Sequence, residues 1–428
     1  MGNKRKDKDK CNYDPDHDKN INPEDNQLTC KTQHIICPTP TKEIDFNTIP
    51  AVVTEMNNNN VHASALFIIP GYVPQQIKQV YGISQVVNNV TGAGTGKGQI
   101  IAIVNAYNYP SAISDLNTFS LQFGLPTPNL ITTLNPMPVP PNGKFNIMIY
   151  KMSSSIPTDN GWALEQSLDT QWAHAIAPNA TILLVQATNN TYNELFRAIN
   201  FAVSAGANIV SMSWGSNEFS FESLYDKYFN INKNIVFIAS SGDSPGVMYP
   251  SASPYVLSVG GTNLTIKNTN GVYSRNTEVV WYTNQSLSTG GGVSSYENKV
   301  YQSNINSFAR RTTPDVSFDA DPQTGVAVYN SLYNWIRIGG TSLSAPIWAG
   351  IIALSNQRRL LLNKIPLSNK TLATGIYKLL TNPTLYSTCF YDITFGKINN
   401  NSATPGYDAL SGLGVPKAPG LLAYLDTV

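Results

Sequence analysis

Glu165 and Asp169 stand four residues apart in Gly161-Trp-Ala-Leu-Glu-Gln-Ser-Leu-Asp-Thr-Gln-Trp-Ala-His-Ala-Ile-Ala-Pro178. On a helix that spacing puts both carboxylates on one face, where two like charges are mildly destabilising. The segment is otherwise apolar, with Trp162, Leu164, Leu168, Trp172 and Ile176. Two acids there read either as a solvated stripe or as a pair sharing one proton, one of them raised by the other and by desolvation. Ser342 follows Gly339-Gly340-Thr341 and precedes Leu343-Ser344-Ala345-Pro346. The glycines permit a sharp turn and a close approach to the backbone. The apolar run from Ser344 to Leu354 reads as a buried helix, with Pro346 expected in its first turn. A serine at such a junction lies beside the positive end of the helix, a place that favours a developing oxyanion. Asp243, in Ile238-Ala-Ser-Ser-Gly-Asp-Ser-Pro-Gly246, follows an apolar run and is either a turn cap or a site residue. His174, five residues beyond Asp169, points to another side of the helix and is expected to pack or hydrogen-bond.

These residues need a frame. From residue 99 the chain alternates between short apolar runs and helical patterns. Strands are expected over 99–105, 181–186, 208–213, 235–239 and 255–259. Helices are expected over 74–81, 112–123, 162–176, 193–205 and 222–229. Short β-branched runs between helices imply an α/β fold with a mostly parallel central sheet flanked by helices on both faces. In such sheets the chemistry gathers beyond the C-terminal ends of the strands.

Composition removes several classes. The formal net charge is +1, which excludes an electrostatic nucleic-acid binder. Charged residues make up 13% of the chain, about half the usual share. No run of 18 apolar residues exists, so no transmembrane helix is expected. The basic start, residues 1–10, lacks the apolar stretch of a signal peptide. Lys6 stands where a myristoylation motif needs Ser or Thr. Gly92-Ala-Gly-Thr-Gly-Lys-Gly98 fails as a phosphate loop, because Thr91 replaces its first glycine and Gly98 its last hydroxyl residue. Three of four cysteines (Cys11, Cys30, Cys37) and three of four histidines (His17, His34, His62) fall in the first 66 residues. A disulfide within that tail is possible, while Cys389 stands alone in the body. The tail mixes charge, Pro and Asn without periodicity and reads as disordered. The expected organisation is a tail over 1–66 and one domain over 67–428. Late in the chain, Asp392-Ile393 and Gly406-Tyr407-Asp408 gather oxygen donors of the kind calcium takes.

Taken in order, the motifs resemble the sedolisin family of serine-carboxyl peptidases. The Glu165-x-x-x-Asp169 pair, Ser240-Ser241-Gly242-Asp243 and Gly340-Thr341-Ser342-x-Ser-x-Pro346 are similar to its catalytic segments. Ser211-Met-Ser-Trp-Gly215, Gly290-Gly-Gly-Val-Ser294 and Pro314-Asp-Val-Ser-Phe-Asp-Ala-Asp-Pro322 also look like the family. The resemblance spans residue 67 to the end. It implies a subtilisin-like three-layer fold and a serine-type endopeptidase acting on proteins or peptides in acid. Ser342 would be the nucleophile, Glu165 the base, Asp169 its partner and Asp243 the oxyanion donor. No His-Gly-Thr motif of ordinary subtilases is present. The resemblance also implies one structural calcium, held by the side chains of Asp392 and Asp408 and the carbonyls of Ile393, Thr404 and Gly406. Thr404 stands where a glycine is usual. A monomer in an extracellular or acidic compartment is expected. Family members carry a long folded propeptide, and the short tail here departs from that pattern. The alternatives are a tripeptide-releasing exopeptidase and a catalytically silent relative used for binding.

Overall fold

The computed structural model describes residues 28–32, 35–37, 69–88, 91–231, 233–303, 305 and 308–428. Most of the expectation for the tail, with Cys11, His17, His34 and His62, lies outside the described residues. Two pieces of the tail are described, and both are paired. β1 (Lys31–Thr32) and β2 (Ile35–Cys37) add to strands of the main body. Neither has an alternating pattern of its own. Their partners lie far along the chain, so no local signal marks them. Cys30 is a free, buried thiol beneath Tyr192, so it joins no disulfide.

The central sheet is built from β3 (Ile100–Ala106), β4 (Thr127–Leu130), β5 (Lys144–Lys151), β6 (Thr181–Ala187), β7 (Ile209–Met212), β9 (Val236–Ser240), β11 (Leu257–Thr269) and β12 (Val272–Val280), with β8 (Trp214–Asn217) and β10 (Met248–Tyr249) in a small side sheet. The order is β12-β11-β9-β7-β3-β6-β5-β4, and Val316–Asp319 also pairs β11. Every neighbour is parallel except β12, which runs antiparallel to β11. The strand expected over 255–259 is thus only the buried start of β11. Beyond it the strand leaves the core as a half-solvated hairpin, whose polar residues hid it in the sequence.

Strand periodicity divides the core in two. Ile101, Ile103, Ile182 and Leu184 face one layer, whereas Ala102, Val104, Leu183 and Val185 face the other. The first layer is covered by α3 (Asn160–Ile176) and α5 (Thr341–Leu361) through Leu164, Leu168, Trp172, Leu343 and Ile347. The second is covered by α4 (Tyr192–Ser204) through Leu195, Phe196 and Ile199. Each such buried side chain stabilises by about 1.5–3 kcal/mol. Asp159 caps α3 by accepting from the Trp162 amide at 2.9 Å. The expected helix over 222–229 is a 3₁₀ helix, Glu222–Tyr228, beside α4. No described helix is long and apolar enough to cross a membrane.

One boundary differs from expectation in a way that touches the site. α5 begins at Thr341, so Pro346 lies inside the helix, not in its first turn. Proline has no N–H, so the carbonyl of Ser342, four residues back, loses its helical partner. The Ser213 hydroxyl stands 3.4 Å from that carbonyl instead. Gly340 caps the helix at φ +105°, a conformation an L side chain rarely adopts.

Candidate active site

α3 and α5 lie side by side, and their contact brings the three chemical groups together. A Cβ on Gly350 would come within 2.6 Å of the Ile176 Cβ, so glycine there lets the helices approach. Glu165 and Asp169 are one turn apart on α3 and fully buried. Ser342, second residue of α5, is buried beside them. The Glu165 carboxyl is in hydrogen-bonding contact with Ser342, Asp169 and Ser213. Burial pushes Glu165 well above the usual carboxylate range, and those three contacts only partly offset it. Asp169 accepts from Asn105 Nδ2 at 2.9 Å and from Ser213 Oγ at 2.7 Å. The Ser342 hydroxyl also lies 3.4 Å from the Ser213 carbonyl.

Asp243 follows β9, at the mouth of the site. Its Oδ1 accepts from the Thr341 amide at 2.7 Å and from Thr341 Oγ1 at 2.8 Å. Thr341 Oγ1 in turn accepts from the Gly242 amide at 3.1 Å. The loop after β9 is thereby fastened to the first turn of α5. The Ser342 amide belongs to that turn, whose N–H groups have no partner within the helix. The Asp243 carboxyl and the Ser342 amide are thus brought to the same first turn of α5.

All four expected residues, Ser342, Glu165, Asp169 and Asp243, therefore converge, from two helices and one loop. His174 does not join them. Its ring stacks on Phe145 at 3.9 Å, Nε2 lies 2.9 Å from the Pro126 carbonyl, and burial pushes it down to about 3. Asn105, Ser213 and Thr341 went unnoticed in the sequence as parts of the site. The only signal was position: Asn105 and Ser213 each stand at the C-terminal end of an apolar strand.

Described pieces of the tail pair with two strands that adjoin this site. β1 runs antiparallel to β8, pairing Lys31 with Gly215 and Thr32 with Trp214. β2 runs antiparallel to the strand Asn334–Gly339, pairing Ile35 with Gly339. Those two partners lead directly from Ser213 and directly into Ser342. Before β1, the Cys30 amide donates to the Asn190 carbonyl at 2.8 Å, and Thr29 bridges Thr191.

A second set of acids lies past the end of β8. Glu218 contacts Glu222, and Asp226 contacts Glu297. Ser294 Oγ and the Ser295 amide donate to Glu218, the latter at 3.1 Å. Ser253 Oγ donates to Asp226 at 2.6 Å. Burial, with the neighbouring acids, raises Glu222 and Glu297, whereas Asp226 is raised by burial alone, against the contacts with Ser253 and Glu297 that lower it.

The C-terminal oxygen donors also meet. Tyr386 OH donates to Asp392 Oδ1 at 3.1 Å and reaches the Gly406 carbonyl at 3.3 Å, while the Gly406 amide donates to Asp392 Oδ2 at 2.8 Å. Asp408 accepts from the Leu410 and Ser411 amides at 2.8 and 2.9 Å, from Ser411 Oγ at 2.8 Å and from the Thr404 amide at 3.5 Å. All these partners are neutral, and burial raises Asp408 to about 6. Among the described residues no cluster of three or more His, Cys, Asp or Glu side chains forms a metal group. Two carboxylates with main-chain carbonyls are a donor set for a hard cation, which does not require a third acidic side chain.

A model of the subtilase family, peptidase S8, matches residues 160–382, over half of the chain and all four residues above. The chain belongs to the subtilase family, in its sedolisin branch. Kumamolisin from Bacillus sp. (strain MN-32) is 31% identical over 83% of this chain and 63% of its own length. Tripeptidyl-peptidase 1 of Dictyostelium discoideum is 27% identical over 83% of this chain and 58% of its own. The chain thus spans less than two thirds of either sedolisin relative. The solved structure of Pseudomonas sedolisin, a serine-carboxyl proteinase complexed with two molecules of pseudo-iodotyrostatin, superposes with a TM-score of 0.67. It is 26% identical and covers 84% of this chain and 99% of that one.

Proposed function

We propose that this sedolisin-branch chain is a serine-carboxyl peptidase that cleaves internal peptide bonds in acid. The contact of Ser342 with Glu165, itself paired with Asp169, carries this reading. Ser342 Oγ attacks the peptide carbonyl while its proton passes to Glu165. Asp169 holds Glu165 in place and shares its proton. The oxyanion forms between the Ser342 amide and Asp243. Glu165 returns the proton to the leaving amine, and water repeats the sequence on the acyl-enzyme. Asp243 must be protonated to donate, because a carboxylate would repel the oxyanion. Its Oδ1 already accepts both Thr341 donors, so Oδ2 is the oxygen that carries the proton. That requirement confines activity to acid and fits an extracellular or acidic compartment.

The named relatives include a tripeptidyl peptidase. Internal cleavage is favoured here by the tail. Residues 28–32 run along Asn190 and β8, the strand that follows Ser213, and 35–37 run along the strand that precedes Ser342. A cleft that accepts chain on both sides suits an endopeptidase. A silent relative is disfavoured because all four positions are filled and brought together.

Asp392 and Asp408, with the carbonyls of Ile393, Thr404 and Gly406, would hold one calcium ion. Bound there it would fasten the C-terminal loops and take no part in the chemistry.

The test is cleavage of a denatured protein from about pH 3 to about pH 8 by the native chain and Ser342→Ala, with products identified by mass. Internal fragments from the native chain alone, declining towards neutrality, are expected. A ladder of tripeptides would overturn the endopeptidase reading. Undiminished cleavage above neutrality would remove Asp243 from its role.

A further inference from the structure

The Ser342, Glu165, Asp169 and Asp243 assignments leave one buried hydroxyl unused. Ser213 joins β7 to β8 and is fully enclosed. Its Oγ lies 2.7 Å from Asp169 Oδ1, touches the Glu165 carboxyl and stands 3.4 Å from the Ser342 carbonyl. A hydroxyl has one proton and two lone pairs. At these distances the Ser213 proton belongs to Asp169. Asn105 completes the arrangement at Asp169 Oδ2 from a different strand. Both oxygens of Asp169 thus receive a neutral donor from the rigid sheet. Glu165 is likewise surrounded by hydroxyls and its partner acid rather than by cations. The remaining acid of the site, Asp243, is engaged by Thr341.

We propose that Ser213 is a positioning residue for peptide hydrolysis, whose hydroxyl holds Asp169 as the anionic member of the acid pair. In the resting site the shared proton then sits on Glu165, directed at Asp169. When Ser342 Oγ gives up its proton to Glu165, the proton already there moves on to Asp169. When Glu165 protonates the leaving amine, the proton on Asp169 moves back to Glu165, so the pair gains one proton from Ser342, passes one to the amine and ends as it began. Donors to a carboxylate favour its ionised form. The Ser213 hydroxyl therefore sets the pH at which the pair can accept a proton.

This inference rests on the reading of Glu165 and Asp169 as the base pair. The test is the pH profile of kcat and KM for Ser213→Ala and Ser213→Thr in the full chain. Ser213→Ala is expected to lower kcat by about tenfold to hundredfold, the usual effect of losing a hydrogen bond that orients a reacting group. KM should be unchanged, because the backbone of residue 213 is retained. The acid-side limb of kcat should move to higher pH, and Ser213→Thr should restore its position. If Ser213→Ala proves much less thermostable, Ser213→Cys is measured instead. Its thiol is a weak donor of similar size, and the same shift is expected. A fall in kcat with the acid limb unmoved would make the hydroxyl merely structural and overturn the proposal. Glu165→Gln separates the two readings. An active Glu165→Gln retires the base pair itself, whereas an inactive one beside an unmoved limb in Ser213→Ala retires only the role of Ser213.

Discussion

Asp243 is the residue where the chemistry of this site can be read most directly. Its proton must be present for it to donate, and its Oδ1 is already occupied by Thr341. Asp243→Asn supplies an N–H donor that needs no proton. The variant should keep part of the activity and lose the decline towards neutral pH, seen as a flattened alkaline limb of kcat/KM. Asp243→Ala has no donor at all and should lose about 10²–10³-fold in kcat, the scale for removing one oxyanion donor. Ser342→Ala and Glu165→Gln should each cost far more, roughly 10⁴–10⁶-fold, and combining them should add little, since both serve one step. These positions were legible in the sequence because each is a chemically odd residue in an apolar or glycine-rich setting. The parts played by Asn105, Ser213 and Thr341 were not, because an amide or hydroxyl at a strand end or a helix start is ordinary until its partner is known.

Among the elements, α3 and α5 decide whether the serine meets its acids. At Gly350 the two helices approach too closely for any side chain larger than hydrogen. Gly350→Ala should destabilise the chain by about 1–3 kcal/mol through overpacking, measured by urea unfolding. It should also lower kcat more than it raises KM, because it parts Ser342 from Glu165. The start of α5 was misjudged in the sequence for a physical reason. Proline usually marks a first turn, but here the Ser342 carbonyl lies near the Ser213 hydroxyl, and the helix runs through. Strand cores such as β3, β6 and β9 were plain from their apolar runs. Their ends were less so, and β1 and β2 could not be seen at all, since strand addition depends on the partner edge. The C-terminal loops carry their own test. Depleting calcium should lower the melting temperature, as for any ion bound only by the folded chain, and Asp408→Asn should abolish the difference.

Across the molecule, two features set the conditions under which it works. Two of the acids past β8 are raised by burial and by neighbouring carboxylates, Glu222 to about 9 and Glu297 to about 8, from an ordinary value of 4.5. The folded chain therefore holds protons there that the unfolded chain has released. Stability from these groups is full below about pH 4.5 and declines as pH rises towards about 8 and 9. A melting temperature that falls steadily from acid to neutral buffer is expected. Glu222→Gln and Glu297→Gln should reduce that slope, and an unchanged slope would show that other groups govern it. The second feature is the tail lying along β8 and along the strand that enters Ser342. Were a peptide substrate to pair with the same strand edges, the tethered tail would compete with it at a local concentration on the order of millimolar, whatever the dilution of the protein. Such a substrate would have to displace a rival that never diffuses away. Removing residues 1–37 should accordingly lower the apparent KM and leave kcat nearly unchanged. The affinity measured on the intact chain then describes an exchange of one strand for another rather than entry into an empty groove.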